Sequence, residues 1–157
     1  METISLIQLK KELSLLPANE VFEICMKLSK FNKENKALLH YLLYFEHDEY
    51  GYIETIKKEI SWFFREDPYF TVVLTTKKLR KIINKTNQFI KYSKNKKTEV
   101  ELLIHLCTEI KKTGNLAYAD KTLINLYQRQ IEKIKKALGK LHEDLQHDYS
   151  EELNSLV

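Results

Sequence analysis

Glycine and proline are nearly absent from this chain, at three and two in 157 residues. Average usage is roughly 7% and 5%, and β-rich folds spend these residues at their turns. A chain so poor in turn-formers favours long helices joined by short links. The expectation is therefore an all-α protein, a single domain over 1–157. Its six to seven helices would form an irregular bundle or a short helical-hairpin array of the α-α superhelix type. The length allows one sizeable core, and 43% hydrophobic with 31% charged residues is a globular balance. No stretch approaches the roughly 18 apolar residues of a membrane span. The opening METISLIQLKKELSLL mixes apolar residues with Glu and Lys, which predicts an amphipathic helix rather than a signal peptide.

Periodicity places the helices. The first is predicted from Thr3 to Leu15, with Pro17 breaking it. A second, over 18–30, sets Val21, Ile24, Cys25 and Leu28 on one face. Asn32 is a suitable N-cap for a third over 33–46, which is apolar nearly all round and is expected to be buried. Asp48 is placed to cap a fourth, ending near Arg65. A junction follows near 67–70, and FTVVL at 70–74 is assigned to helix or entry loop, because a lone strand has no partner. The fifth helix ends near Ser93, and the polar run 93–98 reads as a linker. The sixth spans 98–113, closed by Gly114. The longest, 120–147, carries Tyr127, Ile131, Ile134, Leu138, Leu141 and Leu145 at heptad spacing, and the tail 150–157 is expected to fray.

Residues 17–46 resemble the helical-hairpin unit of HEAT-like repeats, without a second copy at a fixed period. The strings LPANEVFEICMKLSKFNKENKALLHYLL, TEVELLIHLC and NLYQRQIEKIKKAL are similar to small bacterial all-helical proteins of unknown function. That resemblance implies the fold and no activity.

Charge is unevenly distributed. Lys77, Lys78, Arg80, Lys81, Lys85, Lys91, Lys94, Lys96 and Lys97 lie between Asp67 and Glu99 with no acidic residue among them. The chain is +4 overall, so the remainder is net acidic. At about 100° per residue, Lys77, Lys78, Arg80, Lys81, Lys85 and Lys91 share one side of a helix, opposite Leu79, Ile82, Ile83, Phe89 and Ile90. The leading expectation is a solvated face whose lysines pair with Glu99, Glu101 or the acidic cluster at 143–152. The alternative is sequence-independent nucleic-acid binding, since phosphate contacts need only flexible cations. Eight of the nine are Lys, whereas base readout favours Arg, Asn and Gln. A membrane surface is not expected, because the face lacks an aromatic anchor.

Aromatic residues crowd the stretch from Tyr41 to Phe70, and most are expected in the core. Trp62, Phe63 and Phe64 are consecutive and cannot all face inward. With Tyr69 they are the candidate protein-interaction residues. His142 and His147 are five apart, so HExxH geometry is missing. His40 and His105 sit in apolar helices as core histidines. Cys25 and Cys107 lack metal-ligand spacing and read as reduced thiols. No GxSxG, P-loop or Gly-rich cradle is present.

The reading is a non-enzymatic cytoplasmic interaction or structural module, with no cofactor and no metal. Its partner is an unidentified protein, with a homodimer as one form of that reading. Nucleic-acid binding through the helix over 76–93 is the alternative.

Overall fold

The computed structural model describes residues 4–65 and 76–157. These form eight α-helices and a 3₁₀ turn at Asn115–Tyr118, with no strand among the described residues. The all-α expectation holds, but the count is eight rather than six to seven. The FTVVL segment, the 67–70 junction and Tyr69 lie outside the described residues. Two compact units divide the chain, residues 1–44 and 45–157.

The first unit holds α1 (Leu6–Leu15), α2 (Ala18–Phe31) and α3 (Lys33–Tyr44). Ser5 caps α1, its hydroxyl accepting from the Gln8 amide at 3.2 Å. Asn32 caps α3 as its position suggested, accepting from the Asn35 amide at 2.7 Å. In return the Asn35 side chain donates to the Leu28 carbonyl at the end of α2, so one residue suffices to turn the hairpin. Neither α1 nor α2 has a buried residue, and α3 has only Tyr41. The expectation that α3 would be buried all round is therefore corrected. Leu43 and Tyr44 are exposed, because residue type records what a helix can bury, not the surface available to bury it.

The second unit is built round one helix. It comprises α4 (Glu49–Arg65), α5 (Thr76–Ser93), α6 (Lys96–Lys112), α7 (Lys121–Leu138) and α8 (Glu143–Leu156). α6 packs against α4, α5, α7 and α8. Val100, Leu102, Leu106, Cys107 and Ile110 are wholly inaccessible. Burial pushes the Cys107 thiol up to about 12, leaving it inert at neutral pH. Asp48 caps α4 through the Gly51 amide, and the Glu49 carboxylate accepts from Ser93 and Thr98, which ties the α5–α6 turn to α4.

That turn is shorter than the linker expected at 93–98. Lys94 adopts a left-handed φ of 56° and Asn95 caps α6 through the Lys97 amide, so 96–98 are already helical. Gly114, at φ 69°, closes α6 in a conformation that disfavours a side chain.

The long helix expected over 120–147 is two. Its heptad apolar rhythm runs unbroken across the boundary, which concealed the break. The α7 end closes with Gly139 and Leu141 amides bonded to the Lys135 and Leu138 carbonyls. His142 is then extended and its ring accepts from the Asp144 amide. Nor is the tail at 150–157 frayed: it forms the last turns of α8. Leu153 and Leu156 are buried, Lys111 donates to the Ser155 carbonyl at 2.6 Å, and Tyr127 donates to the Leu156 carbonyl at 2.9 Å. Two otherwise orphaned helix-end carbonyls are thus satisfied from α6 and α7. Burial pushes the Tyr127 hydroxyl up to about 12. The Tyr127, Ile131, Ile134 and Leu138 seam is buried, which removes it as a homodimer surface.

Candidate nucleic-acid interface

Amphipathicity fixes the orientation of α5. Leu79, Ile82, Ile83 and Thr86 are buried, so the lysines on the other side must face outward. Lys77, Arg80, Lys81 and Lys91 are exposed, while Lys78 and Lys85 are half-buried. Lys85 bridges to Glu59 of α4 at 2.5 Å. Its ammonium lies 4.5 Å from the centre of the Phe63 ring and 5.7 Å from that of Phe89, within reach of a cation–π attraction. A shallow depression runs along α5 between Lys81, Asn84, Lys85, Asn87, Gln88 and Lys91.

The acidic groups expected to neutralise this face are engaged elsewhere. Glu101 accepts from Lys57 of α4 at 2.7 Å and from Tyr149 of α8 at 2.8 Å, with Lys97 at 3.9 Å. Burial by itself would raise its carboxyl, but these hydrogen bonds and charges outweigh burial and hold it below the usual carboxylate range. The same pair holds Lys57 above its ordinary value despite burial. Burial, then the bond to Glu101, pushes the Tyr149 hydroxyl upward. Glu99 pairs with Lys96 at 2.5 Å. The 143–152 cluster lies on α8, which packs on α6 and α7. Among the described residues, no α8 carboxylate pairs with a basic residue of α5.

The cationic surface also extends further than the sequence reading placed it. Lys133 of α7 donates to Asn87 of α5 at 3.2 Å, beside a second open face bearing Arg129, Glu132, Lys133 and Lys136. Lys121–Leu138 contains five basic residues and one acid, Glu132, whereas Glu143–Leu156 contains five acids and no Lys or Arg. Reading both as one helix averaged these opposite charges away. Counting charge on each side of Gly139 is the signal that reveals the α7 contribution.

The aromatic candidates separate. Phe64 belongs to the core at 8% exposed, Phe63 is half-buried beneath Lys85, and Trp62 stands 53% exposed.

His105 Nε2 lies 2.8 Å from the Ser61 hydroxyl and 3.0 Å from the Lys57 carbonyl oxygen. A carbonyl can only accept, so Nε2 carries the proton and offers no lone pair to activate Ser61. The contact joins α4 to α6 and is not a nucleophile–base pair. Burial holds His105 below its ordinary value. The Glu109 charge and the Lys57 carbonyl oppose that shift, while the Lys57 and Lys112 charges add to it. Among the described residues no three His, Cys, Asp or Glu side chains converge as metal ligands, and no helix is long and apolar enough to cross a membrane. No family model, curated protein or solved structure matches the chain.

Two groups with depressed pKa give a pH prediction. The stability each contributes is present above its unfolded value and is lost as pH falls through the lower folded one. His105 therefore acts below about 6.5 and Glu101 below about 4.3. Denaturant midpoints measured down a pH series should fall in two stages. The first should be flattened in His105→Gln and the second in Glu101→Gln; unchanged slopes in both variants would refute the assignment.

Proposed function

We propose that this protein is a non-enzymatic binding module that holds nucleic acid, without sequence preference, on the cationic face of α5 and its extension onto α7. The observation that carries this reading is the diversion of Glu99 and Glu101 into other pairs. It leaves Lys77, Arg80, Lys81 and Lys91 without an ion pair among the described residues. From Lys77 to Lys91 the face runs about 21 Å at roughly 1.5 Å per residue. Lysines on mobile stems suit phosphates whose spacing varies, and the near-absence of Arg on α5 matches a surface that reads no bases.

Binding should weaken steeply with salt as counterions are released. In Lys81→Ala/Lys91→Ala, the slope of log K against log salt on a single strand should become shallower by about 1.4, for two lost phosphate contacts. Absence of binding at low salt, or an unchanged slope, would overturn the proposal.

A second reading, interaction with protein, is favoured by the first unit. Leu6, Ile7, Leu15, Phe22, Phe31 and Leu43 are all more than half exposed, an apolar surface that calls for a cover. The occupant we propose is a second copy of the chain. Residues 1–44 carry six basic and five acidic residues, so the unit is near neutral and two copies repel one another only weakly in an isologous contact. Sedimentation should show mass rising with concentration, abolished by Leu6→Glu/Phe31→Glu. A monomer throughout the micromolar range would exclude self-association.

A further inference from the structure

The chain has a single tryptophan, and it is spent on the surface. Trp62 lies on α4 with Lys58 four residues before it and Arg65 three after, all three exposed. That spacing puts both cations on the same helical stripe as the indole. Together with Ser61, His105 and Glu54 they line a groove of about 390 Å³, within the roughly 300–1,000 Å³ of small-ligand sites. Among the described residues its one carboxylate, Glu54, is paired with Lys57 at 3.3 Å. The groove adjoins the α5 face: the Trp62 and Phe63 ring centroids are 5.5 Å apart, edge to face, and Phe63 carries Lys85 of α5 on its own ring.

We infer that Trp62 is a stacking platform for an unpaired nucleobase, so that the nucleic acid bound by this module is single-stranded. Every base has a π-face, and an exposed indole flanked by cations accepts any of them while Lys58, Arg65 and the α5 lysines take the phosphates. A duplex keeps its bases inside the stack and presents only phosphates, which the α5 face meets without Trp62. The inference rests on the α5 reading and adds strand selectivity to it.

Because Trp62 is the sole indole, its emission reports on the groove directly. The test titrates the full chain with a homopolymeric single strand, a duplex of equal length and inorganic polyphosphate. The single strand should quench the emission, and polyphosphate should bind without quenching. Trp62→Ala should lose roughly 5- to 150-fold in single-strand affinity, the value of one stacked base, with polyphosphate affinity unchanged. Trp62→Phe, which keeps a ring, should retain most of the single-strand affinity. The exposed site makes both variants foldable, and circular dichroism checks this. Single-strand binding without quenching, or with equal affinity in Trp62→Ala, would overturn the inference and leave the α5 face standing. Failure of all three polyanions to bind would remove both.

Discussion

The second unit depends on the enclosure of α6 by four other helices. A helix packed by four neighbours keeps little solvated surface, here the half-buried stripe of Glu101, His105 and Thr108, so most of its sequence must be apolar and its polar groups must find partners. Thr98, Glu109 and Glu101 show the second requirement at work. Thr98 donates to Glu49, Glu109 meets Lys112 at 2.8 Å, and Glu101 accepts from Lys57 and Tyr149 on two different neighbours. The Glu49 and Glu101 pairings cross between helices and so fix packing angles, whereas Glu109–Lys112 lies within α6 and only meets a desolvated charge. For the half-buried Lys57–Glu101 pair, desolvation offsets part of the attraction.

Those internal pairings have an electrostatic consequence at the surface. Among the described residues Glu99 and Glu101, drawn into these contacts, pair with no α5 lysine; Glu59 of α4 holds Lys85, and five further acids lie on α8. The second unit thus separates charge, with α5 and α7 cationic and α8 anionic. Under the proposed reading, a polyanion would be steered toward α5 and α7 and away from α8. The exposed indole of Trp62 lies edge to face with Phe63, whose ring carries Lys85, and adds a flat apolar surface on α4. The proposed phosphate contacts and stacking platform would then be adjacent, the arrangement single-strand binders use.

Most of the helices were legible from periodicity and caps. Asn32 and Asp48 occupy the N-caps their side chains suit, and the apolar stripe of α5 predicts its buried face. Two kinds of feature were not legible. The α7–α8 break was hidden because Leu138, Leu141 and Leu145 continue one heptad rhythm, although Gly139, His142 and the acidic turn after it are a helix stop and start. Partners distant in the chain were also hidden. Nothing in the spacing of Lys57, Glu101 and Tyr149, or of Ser61 and His105, says that they meet, because those contacts are set by helix packing. The burial of α3 was misread for the same reason. Of the candidate interface, the α5 lysines were visible as an acid-free run. The choice between a neutralised and an open face awaited the position of Glu101.

The open charge of Lys77, Lys81 and Lys91 on α5 is tested most directly by lysine-selective acylation, mapped residue by residue, with and without a single-stranded nucleic acid. Lys77, Lys81 and Lys91 should react readily in the free protein and become protected on binding. Lys57, held by Glu101, should react slowly in both. Slow reaction at the three α5 lysines in the free protein, or protection at Lys57 and Lys111 rather than at α5, would contradict an open cationic face.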